Sequence, residues 1–380
     1  MKLLVISQTL GINAPGIVFE QLVSEMEGLC QVEAWTYDYR PSDGKYLDCV
    51  NVIKHTSLPI RKIRRYMMKY VGSDMFDWYY GREVRPISDD YDAILCFVSM
   101  GHYFALEAGK RLKDSLNIPL FTYFVDAVPA PELWIRDNRL RRNIEKHVRK
   151  YAGSIDCFIS SNEKMLEYQR QFMRPGTEGF VVYTPSATDK VTYLRVRREG
   201  DPFIFLYTGN IYGLRNPDYL IEAFRQFLKD HEDSYLYFVG SLYENINPEE
   251  WEDELKSHVI FHPFTSDLAK YYEMASALID IDADIPDDVY LSSKSMTYLG
   301  YNRPIICETS DDSVSRNLYA GVGSILQCSH SSEEILDAMN KCYEGSFDYT
   351  DRKDLIEKLN VKNVVRDLLI NLTNHAKNIR

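Results

Sequence analysis

The segment Y-L-S-S-K-S-M-T-Y-L-G-Y-N-R-P, Tyr290 to Pro304, gives the clearest indication of the fold. An apolar run, Ala277–Ile281, and an acidic loop, Asp282–Asp288, precede it, and a second apolar run follows it. Ser292 and Ser293 are favourable first residues for a helix, because their hydroxyls can cap its free N–H groups. The order strand, loop, helix, strand predicts an α/β unit in a parallel sheet.

In such a unit the start of the helix lies at the carboxyl edge of the sheet, where ligands bind. The free N–H groups and the dipole at this end of a helix favour a phosphate. Lys294 is an unusual residue for the first turn, since a cation there opposes the dipole, and it is explained if an anion binds beside it. The alternative is that the serines only cap a surface helix and that Lys294 is solvated.

A second stretch repeats this arrangement. The apolar run Phe203–Leu206 leads into the loop Y-T-G-N-I-Y-G-L-R-N-P, residues 207–217, and then into an amphipathic helix at 218–229. The loop contains Gly209 and one arginine, Arg215, which can pair with an anion. The two stretches together predict one phosphate-binding crevice.

Together the two stretches resemble the nucleotide-sugar domain of GT-B glycosyltransferases, in particular the retaining family 4, the glycosyl transferases group 1. That family has a segment similar to P-S-K-x-x-E-Y-L-x-x-G-x-P-V. Ser293-Lys294, Tyr298-Leu299 and Pro304-Ile305 are in register with it. Thr297 stands where the family has a glutamate that holds the ribose, and Asn302 stands where it has glycine.

The resemblance implies a GT-B fold, with two Rossmann-like doubly wound domains facing a central cleft. It also implies a UDP- or GDP-linked sugar as donor substrate, with no separate cofactor and no metal. Arg215 and Lys294 would then stabilise the leaving diphosphate. The other donor-side candidates are Gly209, Asn210, Phe264 beside the base, Ser292, Ser293, Thr297 and Asp288.

Asp288 does not match the spacing of the family. The family places a glutamate eight residues before the ribose glutamate, to contact the sugar hydroxyls. Counting back from Thr297 reaches Val289, so only Asp287 or Asp288 could substitute. The alternative is that Asp282–Asp288 is a solvated acidic loop.

The N-terminal half provides the acceptor-side candidates. Gly11 and Gly16 follow the first predicted strand, and the resemblance implies that they help to hold the donor phosphate or the acceptor; the alternative is that they simply form a turn. His102 and Asp126 follow two later strands, and the resemblance places such residues at the cleft. His102 would orient the acceptor or bond only its own helix start, and Asp126 would be a base or a hydroxyl ligand.

The length of 380 residues predicts two domains. The expected boundaries are an N-terminal acceptor-binding domain at 1–189, a linker at 190–200 and a nucleotide-sugar domain at 201–351. A long helix at 352–380 is expected to return to the N-terminal domain, because GT-B proteins commonly end in this way.

The net charge of −12 argues against general nucleic-acid binding. The seven cysteines are scattered without a C-x-x-C pair, which is typical of reduced thiols in a cytoplasmic protein. The histidines show no metal-ligand spacing. No apolar run reaches the ~20 residues of a membrane span or forms a signal peptide, so we expect a cytoplasmic protein.

Two basic segments interrupt this acidic composition. Arg61–Lys69 holds five basic residues and no acid, interleaved with apolar ones, and Arg136–Lys150 holds seven basic residues and two acids. They are either solvated faces or a contact with an anionic membrane or a lipid-diphosphate acceptor, for which Arg61–Lys69 is the better candidate.

The predicted function is transfer of a hexose from a nucleotide diphosphate to a glycan or lipid-linked acceptor, as in cell-surface polysaccharide synthesis. One alternative is a GT-B-shaped epimerase or phosphorylase-like enzyme, although no motif for a pyridoxal lysine is found. The other is a degenerate, non-catalytic homologue that binds a glycan or a partner, which the threonine at 297 keeps open.

Overall fold

The computed structural model describes residues 1–53, 61–72, 75–101, 103–186, 188–211, 213–241, 246, 248–265 and 267–379. The chain divides into two compact units. The first comprises Met1–Pro185 and Val361–Arg380, and the second comprises Ser186–Asn360. Each unit is built on its own parallel sheet.

The strands, in chain order, are β1 (Lys2–Leu10), β2 (Gln31–Tyr39), β3 (Val50–Val52), β4 (Ala93–Val98), β5 (Leu120–Phe124), β6 (Cys157–Ser160), β7 (Glu178–Val181), β8 (Phe203–Thr208), β9 (Ser234–Val239), β10 (Val259–His262), β11 (Ala277–Ile281), β12 (Ile305–Glu308) and β13 (Ile325–Cys328).

The helices are α1 (Ala14–Glu27), α2 (Arg61–Tyr70), α3 (Met75–Gly81), α4 (Phe104–Leu116), α5 (Asn138–Ala152), α6 (Glu163–Arg170), α7 (Asp218–Leu228), α8 (Asp253–His258), α9 (Ala269–Met274), α10 (Ser293–Tyr298), α11 (Val314–Leu318), α12 (Ser332–Glu344), α13 (Lys353–Leu359) and α14 (Val361–Ile379). Short 3-10 helices lie at Pro248–Glu250 and Tyr349–Arg352.

The sheet of the first unit has the strand order β3-β2-β1-β4-β5-β6-β7, and its described pairs are all parallel. Alternate residues of β1 pack into two different cores, because successive side chains of a strand point to opposite faces of the sheet. Leu3 and Val5 belong to the core formed with α1 and α14. Leu4 and Ile6 belong to the core formed with α4 and α5. Helices therefore cover both faces, which explains why the central strands are continuously apolar.

The sheet of the second unit has the order β10-β9-β8-β11-β12-β13, again parallel. On one face Phe205 and Ile279 pack with α7 and α12. On the other face lie α9 and α10, with Tyr272 and Tyr298 buried. The predicted class, doubly wound parallel sheets, is confirmed for both units.

In both sheets the strand order reverses beside the first strand of the unit, between β1 and β4 and between β8 and β11. At such a point neighbouring loops leave the sheet in opposite directions and open a crevice at its carboxyl edge. The loops after β8 and β11 are the two stretches from which the sequence predicts a phosphate site.

The division between the units differs from the predicted linker at 190–200. Thr192 N donates to the carbonyl oxygen of Gly300 (2.7 Å), and Leu194 N donates to Asn302 Oδ1 (2.7 Å). These bonds tie the segment to the second unit, and the division falls instead after Pro185. Asn302, which replaces the glycine of the family segment, thus has a structural role.

The predicted helix at 352–380 is interrupted. Asn360 has extended backbone angles (φ −61°, ψ 135°) and forms a bridge with Ser186, so α13 ends before it and stays in the second unit. α14 belongs to the first unit, where Val365, Leu368 and Leu372 are buried in the sheet's core. Within the described ranges, none of the helices combines the length and apolar character that crossing a bilayer requires.

Candidate functional site

Two carboxylates lie at the carboxyl edge of the second unit's sheet. Asp280 is in β11 and Asp282 follows it, and they are 3% and 5% exposed. Because Ile279 and Ile281 belong to the apolar core, the alternation of a strand directs the two carboxylates to the opposite face. Burying two acids two residues apart is costly unless other groups compensate their charge.

Lys294 provides part of this compensation. It is the second residue of α10, and its Nζ lies 3.2 Å from Asp280 Oδ1, with the two side chains 15% and 4% exposed. The same Nζ lies 5.3 Å from the centre of the Tyr207 ring at the end of β8. The side chain of Lys294 therefore lies at the point where the strand order of the sheet reverses.

Asp280 and Lys294 stabilise each other's charged forms. Burial acts to raise the pKa of Asp280, but Lys294, Ser292 and Arg215 outweigh it and the pKa is lowered. Burial likewise acts to lower the pKa of Lys294, but the charges of Asp280, Tyr207 and Asp282 raise it above its ordinary value. This pair is charged at neutral pH.

Asp282 is in a different electrostatic environment. Burial, and then repulsion from Asp280, raise its pKa to about 7, against the opposing charges of Arg215 and Lys294. Ser315 Oγ donates a hydrogen bond to Asp282 Oδ2 (3.0 Å). Near neutral pH this carboxyl group exchanges a proton, and the net charge of the cluster changes with it.

Gly209 makes room for the lysine. Its φ is +110°, and a Cβ atom there would lie 3.0 Å from Lys294 Cδ. Gly240, after β9, is packed against it, since a Cβ on Gly240 would lie 2.0 Å from the carbonyl oxygen of Gly209. A side chain at either position would displace the loop or the lysine, which explains the glycine at the first turn of the predicted loop.

Buried hydroxyl groups fix α10 in place. Tyr298 OH lies 2.9 Å from both Thr208 N and Thr208 Oγ1 in β8. Ser295 Oγ donates to the carbonyl oxygen of Ser292 (3.0 Å) and lies 2.8 Å from Tyr319 OH. Lys294 is thus carried on an element anchored at both ends, as a preorganised binding residue requires.

The serines predicted to cap α10 are placed at its start, but their role differs from the expectation. Ser292 is the N-cap residue, yet its side chain makes no capping bond. The Ser292 hydroxyl instead helps to lower the pKa of Asp280. Ser293 is exposed, and α10 ends at Tyr298 after six residues, so its dipole is small.

Thr297, at the position of the family's ribose glutamate, is exposed at the surface of α10. Its Oγ1 donates to the carbonyl oxygen of Ser293 one turn earlier (3.1 Å). This is the local bond that a threonine commonly makes within a helix. The hydroxyl would have to leave that bond to hold a ribose.

The remaining donor-side candidates border the cluster. The charge of half-buried Arg215 helps to lower the pKa of Asp280 and opposes the rise in the pKa of Asp282, so Arg215 lies near both carboxylates. Asn210 Oδ1 accepts a hydrogen bond from Ser241 N (3.0 Å) and thereby joins the loops after β8 and β9. Asp288 is buried, accepts from Tyr290 N (3.3 Å) and raises the pKa of Asp282.

The acidic loop is therefore not wholly solvated, because Asp282 and Asp288 are buried while Asp284 and Asp287 are exposed.

Phe264 follows β10 at the same edge of the sheet, and 72% of its surface is exposed. Its ring is not part of the core, which was the other interpretation of this residue.

In the first unit, the glycine loop after β1 bonds to itself. Gly11 N donates to the carbonyl oxygen of Gly16 (2.8 Å), and Gly16 N donates to Asn13 Oδ1 (2.8 Å), which caps α1. Both amide groups are already used, so the loop is first of all a βα turn.

Of the candidates His102 and Asp126, the structure describes only Asp126. Asp126 is half-buried after β5, accepts a hydrogen bond from Met100 N (3.1 Å), and burial raises its pKa. His102 lies outside the described residues. Met100 follows β4, so the loops after β4 and β5 meet at this carboxylate.

Sequence reasoning missed the part played by Asp280, which it treated only as a member of an apolar run. The signal was present, since a charged residue inside the buried run A-L-I-D-I needs a partner.

Among the residues that the structure describes, no group of three or more His, Cys, Asp or Glu side chains is placed to hold a metal ion.

Residues 194–279 match the sequence model of a family described as Glycosyl transferases group 1. The match covers the loop of Gly209 and Arg215 and most of β11, and it ends before Lys294. No curated protein matches the chain in sequence. The predicted resemblance to glycosyl transferases group 1 is confirmed over this range.

Solved structures match over nearly the whole chain. HepE of Anabaena, solved with UDP and glucose, aligns with a TM-score of 0.65 at 13% identity, covering 98% of this chain and 99% of its own. The lipopolysaccharide outer core galactosyltransferase WaaB aligns with a TM-score of 0.60 at 12% identity, covering 99% of each chain.

A third structure, from Listeria monocytogenes, is described as a candidate UDP-N-acetylglucosamine 2-epimerase and aligns with a TM-score of 0.57 at 12% identity, covering 100% of this chain and 98% of its own. At these identities the likeness shows the fold, which is GT-B. The reaction has to be argued from the site.

Proposed function

We propose that this chain, which has the GT-B fold and matches the glycosyl transferases group 1 over residues 194–279, is a glycosyltransferase. It would move a hexosyl group from a nucleotide-diphosphate sugar to a glycan or lipid-linked acceptor. The observation that carries the proposal is the cation pair Lys294 and Arg215 beside two buried carboxylates, where the strand order of the second unit reverses.

Glycosyl transfer needs stabilisation of the negative charge that grows on the leaving diphosphate. Lys294 is held at this position by Asp280, so its ammonium group is oriented before a ligand binds. Arg215 adds a second charge with a planar array of donors suited to phosphate oxygens. When a diphosphate binds, it shares Lys294 with Asp280, and protonation of Asp282 reduces the repulsion that the ligand meets.

Two finer points rest on the resemblance. Transfer with retention is proposed because family 4 enzymes retain configuration, with attack on the same face guided by the leaving phosphate. Metal independence is proposed because two side-chain cations can supply the positive charge that a metal ion supplies in other transferases.

On the acceptor side we propose Asp126 as the base or hydroxyl ligand. Its raised pKa makes it a better proton acceptor than an ordinary aspartate, and the bond from Met100 N fixes its orientation. The acceptor class proposed, a glycan or lipid-linked glycan of a cell-surface polysaccharide, comes from the resemblance.

We further propose that the enzyme works in the cytoplasm, with α2 in contact with the inner face of the membrane. Two of the basic residues of Arg61–Lys69 have internal partners: Arg64 pairs with Asp77 (2.7 Å) and Lys69 with Asp137 (2.6 Å). Lys62 and Arg65 are exposed beside exposed Ile63 and Tyr66, and these side chains support the contact.

One observation favours the second candidate, a non-catalytic homologue that binds a glycan or a partner. The hydroxyl of Thr297 bonds its own helix, and no carboxylate occupies the position of the ribose glutamate. Nucleotide binding distinguishes the two candidates, because such a homologue should bind no nucleotide.

The test is a thermal-shift measurement of the full chain with UDP, GDP, ADP and CMP, each with magnesium and with a chelator. Stabilisation by one nucleotide, unchanged by the chelator, is the expected result and would identify the donor class. A well-folded protein that none of the four nucleotides stabilises would contradict the proposal and favour the homologue. Analysis of products with the matching nucleotide sugar then separates transfer from epimerisation.

A further inference from the structure

The two basic segments of the first unit, separate in sequence, lie side by side in the structure. Asn143 Nδ2 in α5 donates to the carbonyl oxygens of Met68 (3.2 Å) and Lys69 (2.7 Å) near the end of α2. The ion pair between Lys69 and Asp137 joins the same two elements. The end of α2 is therefore fixed against α5.

A cavity of about 490 Å³ lies where the two helices meet. It is lined by Tyr70, Val71, Arg139, Arg142, Asn143 and Lys146. Half of these residues are cations, and none is an acid. Arg139, Arg142 and Lys146 are spaced by three and four residues along α5, so they lie on one face of the helix.

These three cations differ from their neighbours on α5. Arg141 pairs with Glu132 (3.3 Å) and Arg149 with Glu145 (2.9 Å). Across the described part of the chain, no ion pair involves Arg139, Arg142 or Lys146. The three exposed side chains form one positive surface around the cavity, which attracts an anion.

The available donors suit a phosphate. Arg142 Nε donates to the carbonyl oxygen of Asn138 in its own helix (3.2 Å), which leaves its terminal nitrogens for a ligand. The Arg139 guanidinium lies 4.6 Å from the centre of the Tyr70 ring and is held in place by that contact. Two arginines and a lysine around one space form a typical phosphate-binding group.

Apolar and aromatic side chains along and just after α2, two of which line the cavity, are exposed. Ile63 (48% exposed), Tyr66 (62%), Tyr70 (45%) and Val71 (64%) project from α2 and the residue after it. The rings of Tyr66 and Tyr70 lie 4.5 Å apart. A dissolved anion would leave these side chains in water, whereas a membrane interface would accept both the aromatic rings and the cations.

We infer that the cavity between α2 and α5 binds the phosphate of an anionic membrane lipid, with the exposed side chains of α2 in the bilayer interface. This inference rests on the membrane contact proposed above and adds to it a headgroup site, but it does not depend on the transferase reaction. It assigns the phosphate-binding charges to α5, since Arg64 and Lys69 of α2 have internal partners.

The test uses the full chain and two kinds of vesicle, phosphatidylcholine alone and phosphatidylcholine with about a quarter phosphatidylglycerol. We expect binding to the second kind only. The triple variant Arg139→Gln/Arg142→Gln/Lys146→Gln should bind it at least about a hundredfold more weakly, because general attraction to an anionic surface contributes roughly fivefold for each basic residue and direct bonds to the headgroup phosphate add to that. The triple variant Lys45→Gln/Arg174→Gln/Lys229→Gln, with the same change of net charge at exposed positions elsewhere, should bind like the wild type.

A second comparison separates a defined site from diffuse attraction. Arg139→Gln/Arg142→Gln and Lys62→Gln/Arg65→Gln each remove two charges from the same surface. The first pair should weaken binding several-fold more than the second. Equal losses would show that general charge attracts the membrane, and the inference of a headgroup cavity would be wrong.

Three other results would also overturn the inference. They are unchanged vesicle binding by the first triple variant, equal binding to neutral vesicles, and binding of inorganic phosphate or a short oligonucleotide with no binding of vesicles. The nucleotide thermal shift is read from the same protein without lipid. A negative result there would contradict the proposed function and leave the vesicle result standing.

Discussion

Lys294 Nζ and Asp280 Oδ1 form a 3.2 Å ion pair that is almost completely removed from solvent. A buried pair of this kind adds little net stability, because the cost of removing two charges from water offsets their attraction. Its value here is that it holds an ammonium group at the edge of the sheet before any ligand arrives. Replacing Lys294 alone should affect both stability and ligand binding, whereas replacing Lys294 and Asp280 together should affect mainly ligand binding.

Lys294→Met should remove nucleotide binding and turnover, and it should also lower the free energy of unfolding of the second unit by about 3–5 kcal/mol, because Asp280 is left buried without its partner. The double variant Lys294→Met/Asp280→Asn should regain most of the stability and none of the activity. Chemical denaturation and turnover, measured on the same samples, check this. Activity near the wild-type level in either variant would exclude Lys294 from the site.

Arg215→Gln should weaken nucleotide binding and abolish turnover while leaving the fold intact, because Arg215 is half-buried at the edge of the cluster. A charged hydrogen bond to phosphate contributes about 1.5–3 kcal/mol, so we expect a loss of affinity of roughly tenfold to a hundredfold. Calorimetric titration of the variant and the wild type, with the nucleotide identified by thermal shift, measures this loss of affinity. Arg198→Gln, at an exposed position of the same unit, is the matched control, and equal affinities in the two variants would contradict the role.

Gly209→Ala should impair both stability and nucleotide binding. The φ of +110° already strains an alanine by roughly 1–3 kcal/mol, and its Cβ would in addition press on Lys294 Cδ. Gly200→Ala is the control, because that glycine also has a positive φ (+83°) but has no atom within 4 Å of the added Cβ. If both variants lose stability but only Gly209→Ala loses affinity, the close approach to Lys294 is the cause. Equal affinities would show that the loop tolerates the methyl group.

Asp282 should make the second unit less stable as the pH rises. Its pKa is raised from 3.8 to about 7, so between these values the folded state binds a proton that the unfolded state has lost. The contribution of Asp282 to the free energy of unfolding should therefore fall across this pH range and change no further above it. Asp282→Asn should remove this pH dependence. Its free energy of unfolding, relative to that of the wild type, should therefore rise by on the order of 2 kcal/mol between pH 5 and pH 8.

The same proton should influence ligand binding. Nucleotide affinity should fall as the pH rises through about 7, because the ionised Asp282 repels the diphosphate, and Asp282→Asn should flatten that profile. Asp284→Asn, an exposed carboxylate in the same loop, serves as the control. Parallel profiles for the wild type and Asp282→Asn, in stability and in affinity, would show that Asp282 does not titrate in this range.

The core strands could be predicted from the sequence because both faces of each sheet are covered by helices. β11 has the predicted bounds, Ala277–Ile281, since it is a short apolar run in the interior of the sheet. β3 (Val50–Val52) and β13 (Ile325–Cys328), which lie at two of the four sheet edges, were not predicted, because they are short and only partly buried and their apolar pattern is weak. The long C-terminal helix was predicted without its break, because nothing in its local spacing reveals that Asn360 pairs with Ser186.

For the site, the sequence indicated the loops and the cations but not their counter-charges. Lys294 and Gly209 follow from spacing and turn chemistry, and the structure brings them within contact of each other. The pairing of Lys294 with Asp280 depends on how α10 packs on the sheet, which bonds between Tyr298 and Thr208 determine. Such contacts join residues far apart in the chain and leave no local pattern.

The assignment of α14 to the first unit has a consequence for the order in which the protein is made. The ribosome synthesises residues 186–360 before it reaches the helix that completes the core containing Leu3 and Val5. During that interval the nascent first unit exposes the apolar surface that Val365, Leu368 and Leu372 later cover. The second unit has no such delay, since all of its sheet lies in one continuous stretch, and it is free to fold first although its sequence comes later.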